Sequence, residues 1–264
     1  MIDIHNHLLI SVDDGPQDKE EALALIKQAI DNGITDIIVT PHQYSGDFTN
    51  PKSKIMGKME ELNTFIKEND LNINIYPGQE IRINGELVQE LGSDINIPLN
   101  GSQYVLIEFS FTELANYTEK LFFDLQMKGY IPLIAHPERC RPLMKEPERL
   151  YDLIEKGAIG QVTAMSVAGA LGEGLQEKSL RLIENNLVHV VASDAHHASN
   201  RPFMLKEAYQ VIEENLGEEY VNRLKYNAEA ILHNRDVKVK PPHKWTSEDT
   251  HRKKRKKKKF LGLF

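Results

Sequence analysis

Seven short apolar runs, each followed by a stretch of helical periodicity, recur through the 264 residues of this chain, beginning near Ile2, Asp36, Ile73, Tyr104, Ile131, Ile159 and Val188. Runs such as Ile37-Ile38-Val39 and Val105-Leu106-Ile107 carry almost no polar residues, as in strands covered on both faces. Strand and helix in strict alternation give a parallel sheet with helices outside, and seven such units close, or nearly close, a barrel. We therefore expect an α/β fold, a distorted (βα)7 barrel of TIM type, and the length suits one domain of that class.

Local signals place the helices. Asp18 is positioned to cap a helix from about Lys19 to Asn32, in which Ala22, Leu25, Ile26, Ala29 and Ile30 form one apolar stripe before Gly33. Others are expected at about Lys52 to Asn69, near Leu87, and at about Asn116 to Lys128, Pro147 to Lys156, Leu175 to Asn186, Phe203 to Asn215 and Glu218 to Lys225. The pattern stops near Asp236. Residues 1–236 read as one domain, and residues 237–264 as a linker and polybasic C-terminal tail, expected to be disordered.

The ends of the runs carry the chemistry. In Ile2-Asp3-Ile4-His5-Asn6-His7 apolar and polar residues alternate, so His5 and His7 share a face, roughly 6–7 Å apart at Cα. Barrels of this class build their sites at strand C-termini. His42, Glu80, Glu108, His136, Asp194 and His196 all fall there, and Asp14 follows on the loop after the first run. Taken singly, each has a plainer role: His42 and His136 as hydrogen-bonding loop histidines, Asp194 as a turn cap, the glutamates as solvated charges. Gathered at one mouth, four carboxylates and five imidazoles need cations to neutralise them. Nine donors exceed one tetrahedral site and suit two or three divalent ions. Nitrogen and oxygen donors without thiolate favour Mn, Fe, Co or Zn. Asp3, on the His5/His7 face, is a candidate to orient an imidazole, and His189, inside an apolar run, reads as packed rather than ligating.

Arg139 and Arg201 each follow a proposed ligand by a few residues, and a forked guanidinium beside cations suits phosphate oxygens. The plainer role for either arginine is an ion pair, with Glu138 or with a carboxylate of the body. Tyr44 and Phe48, in the loop from His42 to Pro51, are candidates to receive an aromatic phosphoester. A cations-plus-arginines site hydrolyses such esters by activating water for in-line attack on phosphorus, without a protein nucleophile. A cysteine-based route is disfavoured: the sixth residue after the single cysteine, Cys140, is Glu146 rather than arginine.

One cysteine excludes an internal disulfide, and neither a leader segment nor a run of ~20 apolar residues is present, so a cytoplasmic protein is expected. Charge is unevenly spread. From Pro241 to Phe264 nine Lys and Arg stand against Glu248 and Asp249, a balance of +7, leaving −14 on residues 1–240 of a chain whose net charge is −7. Arg252 to Lys259 followed by Phe260-Leu261-Gly262-Leu263-Phe264 suits an anionic membrane surface, which would place the protein peripherally at the inner face of the membrane. The acidic body argues against nucleic acid.

Asp13-Asp14-Gly15, Thr40-Pro41-His42, Gly78-Gln79-Glu80, His136-Pro137-Glu138-Arg139 and Ser193-Asp194-Ala195-His196, in this order and spacing, resemble the PHP (polymerase and histidinol phosphatase) superfamily. Within it they are most similar to the bacterial manganese-dependent protein-tyrosine phosphatases of capsule and exopolysaccharide loci. The resemblance runs from Met1 to about Asn234 and implies the PHP form of the barrel with three metals, Mn2+ by preference. By that resemblance His5, His7, Glu80 and Asp194 hold one metal, Glu80, Glu108 and His136 a second, and Asp14, His42 and His196 a third. Arg139 and Arg201 then bind the phosphoryl group, and the partner is a phosphorylated bacterial tyrosine kinase. Cys140 stands where the family is expected to have an aromatic residue. A small-molecule phosphatase, for instance for histidinol phosphate, would use the same groups, and a kinase-docking scaffold would need none of them.

Overall fold

In the computed structural model, which describes residues 1–245, the strands are short and are broken where the site begins. β1 is Ile2–Asp3, and it pairs in parallel with β2, Asp36–Val39. β2 and β3 (His42–Gln43) form one stave interrupted at Thr40-Pro41, where proline has no N–H to give to a ladder. β4 (Asn74–Pro77) and β5 (Glu80–Arg82) form the next, interrupted at Gly78-Gln79. A Cβ on Gly78 would lie 2.8 Å from Ile38 Cγ2, so glycine lets the two broken staves approach. β6 (Tyr104–Glu108), β7 (Ile131–Ile134), β8 (Ile159–Thr163) and β9 (Val190–Ala192) complete the parallel set.

The ladders run β1-β2-β4 and β3-β5-β6-β7-β8-β9. Beyond β1 and β9 the chain closes the ring: His7 N–H donates to Ala195 O and Asp194 N–H to His5 O, each at 2.8 Å. Asn6 and Ala195 form a parallel bridge there. Seven staves therefore make the expected distorted barrel, with the distortion concentrated where ligand-bearing residues leave the ladders.

Helices cover the outside. α1 is Lys19–Asp31, capped by Asp18 Oδ1, which accepts from Glu20 N–H and Glu21 N–H at 2.9 Å. α2 (Lys52–Glu68), α3 (Leu87–Gly92), α4 (Thr118–Met127), α5 (Arg141–Lys145), α6 (Pro147–Glu155), α7 (Ala164–Ala168), α8 (Glu173–Glu184), α9 (Leu205–Leu216) and α10 (Glu218–Leu232) follow. The five-residue α5 and α7 lack a full amphipathic repeat, and α10 runs seven residues beyond the expected Lys225. That extension has a reason. Ile231 and Leu232 pack with Tyr104, Leu106, Leu133 and Ile4 inside the barrel and seal the end where the strands start. A larger apolar layer lies between staves and helices, and each large side chain buried there contributes about 1.5–3 kcal/mol.

Residues 237–245, where the sequence suggests a linker, run along the body. Lys238 N–H donates to Asn227 Oδ1 at 2.7 Å, Asn186 Nδ2 to Pro241 O at 3.0 Å, and His243 N–H to Asn185 O at 2.9 Å. Trp245 is buried with Arg181 above its ring. The polybasic run lies outside the described residues. No helix among the described residues is long and apolar enough to cross a membrane.

Candidate metal centre

The nine candidate ligands converge at the C-terminal ends of the staves. His42 opens β3 and stands in register with Glu80, which opens β5, while Glu108 closes β6. His136 follows β7 and Asp194 follows β9, both in left-handed conformation with φ +31° and +54°. For a non-glycine residue this costs roughly 1–2 kcal/mol, and such strain gathers where side chains must be aimed. Asp14 is delivered by its neighbours. Asp13 Oδ2 accepts from His7 Nδ1 at 2.7 Å and from His42 N–H at 3.0 Å, and Asp13 Oδ1 accepts from Gly15 N–H at 3.0 Å. A Cβ on Gly15 would sit 2.0 Å from the His7 carbonyl oxygen, so only glycine lets this loop dock on the first stave.

Three groups of donor atoms result, each within 4.8 Å of one another: His7, Asp14, His42 and His196; His5, Glu80, His136 and Asp194; and His42, Glu80 and Glu108. Every ligand expected from the sequence is included. The grouping differs from the resemblance-based partition, since His7 sides with Asp14 and His136 with His5. Glu80 is the hub: Oε2 lies 2.9 Å from His42 Nδ1 and 3.4 Å from both His5 Nε2 and His7 Nε2, and Oε1 lies 2.7 Å from His136 Nε2.

The imidazoles are held from behind. Gln161 Oε1 lies 2.9 Å from His5 Nδ1, and the Asp194 carbonyl oxygen lies 2.9 Å from His196 Nδ1. With Asp13 behind His7, these acceptors fix Nδ1 as the proton-bearing nitrogen and present the Nε2 lone pairs to the centre. His5 Nε2, His7 Nε2, His42 Nδ1, His196 Nε2, Glu80 Oε2, Glu108 Oε2 and Asp194 Oδ1 are buried there without well-formed hydrogen bonds, although His42 Nδ1 faces Glu80 Oε2 at 2.9 Å and Glu108 Oε2 faces Arg82 Nη2 at 3.1 Å. Leaving a buried polar atom unpaired costs about 1–3 kcal/mol, so a group of such atoms aimed at one space fits a set of cations.

The protonation energetics pull in opposite directions. Burial raises the Glu80 carboxyl, yet His5, His42 and His136 outweigh it and hold Glu80 well below the usual range. Burial and the neighbouring Glu80 charge push Glu108 up. Burial, reinforced by His7, lowers His196 to about 4. One acid is thus held ionised while its neighbour is driven towards neutrality, the conflict that cations among them resolve.

The two arginines meet at one carboxylate oxygen. Arg139 Nη1 and Arg201 Nη2 donate to Asp194 Oδ2 at 2.6 and 2.7 Å, and Arg201 Nη1 lies 3.5 Å from Asp14 Oδ2. Arg139 does not pair with Glu138, whose buried carboxylate accepts from Thr163 N–H and Ser166 Oγ–H; of the two plainer partners it is a body carboxylate, Asp194, that both arginines meet. Asp3 does not touch an imidazole: it accepts from Ser193 N–H, Ser193 Oγ–H and Asn6 Nδ2 and so anchors the Asp194 turn. His189 is buried as a packed residue, its Nδ1 accepting from Gly160 N–H. Tyr44 is turned to Glu90 by a 2.8 Å hydrogen bond, whereas Phe48 stacks on His42 with ring centroids 5.9 Å apart.

Sequence reasoning passed over four contributors: Asp13, Gln161, Arg82 and Phe111. Arg82 pairs with Glu108 at 3.1 Å, and Phe111, at the exposed lip, lies 5.7 Å from the His136 ring. Asp13 stands inside the Asp-Asp-Gly turn, and its neighbour Asp14 drew the attention. Gln161 alternates with Gly160 and Val162 in a buried strand, and its inward polar side chain was the available signal.

Comparison with known proteins agrees with this geometry. A family model described as capsular polysaccharide synthesis, CpsB/CapC, matches residues 1–233. The tyrosine-protein phosphatase YwqE of Bacillus subtilis is 44% identical over 242 residues, 92% of this chain and 95% of that protein. The tyrosine-protein phosphatase CpsB of Streptococcus pneumoniae is 32% identical over 222 residues, covering 82% of this chain and 91% of that one. A crystal structure from work on YwqE and CpsB, described as unique metal-dependent tyrosine phosphatases, superimposes with a TM-score of 0.91 at 43% identity, covering 93% of this chain and all of that one. The Escherichia coli phosphotriesterase homology protein, 13% identical with a TM-score of 0.54, shares the fold alone. This chain belongs to the CpsB/CapC family of capsular polysaccharide synthesis.

Proposed function

We propose that this chain is a metal-dependent protein-tyrosine phosphatase, that residues 1–236 carry the catalysis, and that its substrate is a phosphorylated bacterial tyrosine kinase governing capsule or exopolysaccharide synthesis. The observation that carries this reading is the set of seven buried donor atoms that turn towards one space without well-formed hydrogen bonds, beside two arginines that reach the solvent. Relatives named tyrosine-protein phosphatases across nearly the whole chain support the substrate class.

His5, Glu80, His136 and Asp194 would hold one divalent ion, His7, Asp14, His42 and His196 another, and His42, Glu80 and Glu108 a third. Two or three ions bound there, Mn2+ in our reading, supply Lewis acidity and neutralise phosphoryl charge. The remaining work belongs to the chain. Gln161, Asp13 and the Asp194 carbonyl keep the imidazoles in the ligating tautomer. Arg139 and Arg201, whose side chains are 25% and 30% exposed, are free to exchange Asp194 Oδ2 for phosphoryl oxygens and to stabilise the charge spread over them. Phe48 and Phe111 form apolar walls suited to the ring of a tyrosyl ester. That leaving group, with a pKa near 10, departs without a strong general acid. We place the protein in the cytoplasm, in contact with anionic membrane through residues 252–264.

The test is hydrolysis of a phosphotyrosine peptide by purified protein after chelation and again after Mn2+ is restored, with a phosphoserine peptide and histidinol phosphate in parallel. Metal-restored turnover confined to phosphotyrosine is expected. Preferential turnover of histidinol phosphate would overturn the substrate assignment.

A further inference from the structure

Residues two apart on a strand share a face, so β5 brings Arg82 to the mouth beside the hub Glu80, in register with Glu108 on β6. The Arg82 guanidinium is held on three sides. Nη1 donates to the Phe109 carbonyl oxygen at 2.8 Å, and Nη2 donates to Ser45 Oγ at 2.9 Å and lies 3.1 Å from Glu108 Oε2. Arg139 and Arg201 differ in this respect. Their hydrogen-bond partners among the described residues are carboxylates, with no backbone acceptor. Either can turn to a phosphoryl group by releasing Asp194, whereas Arg82 would also have to give up a carbonyl and a hydroxyl oxygen.

The three contacts lead to three parts of the site. Of the candidate ion groups, His42, Glu80 and Glu108 form the one with three donors rather than four, and His42 and Glu80 are shared with the other groups. Glu108 is thus the donor that belongs to this group alone. Ser45 lies in the turn where Tyr44 N–H donates to Phe48 O at 2.9 Å and Phe48 N–H to Ser45 O at 3.2 Å. That turn lays Phe48 almost parallel to the His42 ring, with 7° between their planes. The Phe109 carbonyl stands two residues before Phe111, the ring against which Arg139 rests.

We propose that Arg82 is a positioning residue that sets Glu108 for an ion held by His42, Glu80 and Glu108 and fixes the Phe48 and Phe111 walls relative to that ion. Occupancy of this one group and the shape of the aromatic pocket are then coupled through a single side chain. The other two ion groups and the phosphoryl contacts do not depend on it. The role towards the ion rests on the metal-dependent reading above, while the clamp on the two walls rests on the contacts alone.

Arg82→Lys keeps the charge and loses the planar fork, and Ser45→Ala removes one contact only. The full-length proteins, chelated and then equilibrated with graded free Mn2+, would be assayed for bound ions by elemental analysis. In Arg82→Lys two ions should bind as in the wild type and a third should bind about tenfold more weakly or worse, the usual effect of removing a partner that orients a ligand. Inhibition by orthophosphate at saturating Mn2+ should stay within about twofold of wild type, since the phosphoryl contacts belong to the other arginines. In the chelated proteins, amide hydrogen exchange should rise across residues 44–48 and 109–111 in Arg82→Lys, and across 44–48 in the milder Ser45→Ala. Unchanged exchange, or equal weakening of every ion, overturns the proposal. A full ion complement with weakened orthophosphate inhibition also overturns it and makes Arg82 a phosphate ligand. A wild type that takes up no ions would sink the metal-dependent reading, and the exchange comparison would still decide the clamp.

Discussion

The guanidinium of Arg139 lies over the ring of Phe111, with Cζ 4.8 Å from the ring centroid, while its Nη1 reaches Asp194. The ring limits where the guanidinium can go when Asp194 releases it. A cation–π contact at an exposed site contributes about 0.5–1 kcal/mol. Phe111→Ala should therefore lower kcat/KM for phosphotyrosine peptides about two- to fivefold with metal content unchanged, and Phe111→Trp should restore it. Full activity in the alanine variant, measured at saturating metal, would show that the ring does not position the arginine.

Arg139 and Arg201 should not tolerate lysine. Each offers a planar fork, and a lost hydrogen bond to a charged partner costs about 1.5–3 kcal/mol. Arg139→Lys and Arg201→Lys are each expected to lower kcat/KM by about 10- to 100-fold while leaving bound metal and thermal stability near wild type. Loss of metal in either variant would assign the arginine to assembly of the centre instead.

Gly15→Ala tests how Asp14 is delivered. The new methyl would meet the His7 carbonyl oxygen at 2.0 Å, so the loop must lift and take Asp13 from His7 with it. We expect reduced metal content and a lower Tm in the metal-loaded protein. An alanine variant that retains the full metal complement would show that the loop docks by another route.

His189 supplies a pH dependence separate from the metal site. Burial, aided by Arg223, lowers its pKa to about 4, and its Nδ1 is committed as an acceptor. Its unfolded value is about 6.5, so between pH 6.5 and 4 the unfolded chain binds the extra proton. Stability must then fall as pH falls through that window, by about 3 kcal/mol in total from this residue. Asn in its place can accept the same hydrogen bond without titrating. The chelated His189→Asn protein should show a flatter stability curve than chelated wild type below pH 6.5, as read by urea denaturation. Parallel curves would refute the assignment.

The sequence was most legible where period and chemistry coincided. Buried runs such as Tyr104–Glu108 showed as unbroken apolar stretches, and there the candidate ligand Glu108 falls at the strand end by arithmetic alone. What stayed hidden depends on through-space partners. The break at Gly78 splits its run where the neighbouring stave crowds against it at Ile38, a contact that nothing local announces. The extension of α10 through Leu232 is explained only by the barrel interior that it seals. Phe111 sits in a loop without periodicity, and its importance comes from Arg139, twenty-eight positions later in the chain. Asp3 shares a strand face with His5, but nothing local indicates that Ser193, brought beside it by barrel closure, takes its hydrogen bonds.

The central claim is that nine side chains form one multinuclear metal centre, and the most direct test is metal content per chain. Purified protein loaded with Mn2+ and passed through a desalting column would be assayed by elemental analysis beside a Glu80→Gln variant, since Glu80 contacts His5, His7, His42 and His136. The account predicts two or three ions per chain in the wild type, with a loss of at least one ion in the variant. Fewer than one ion per chain in a wild-type protein that still hydrolyses phosphotyrosine would contradict it.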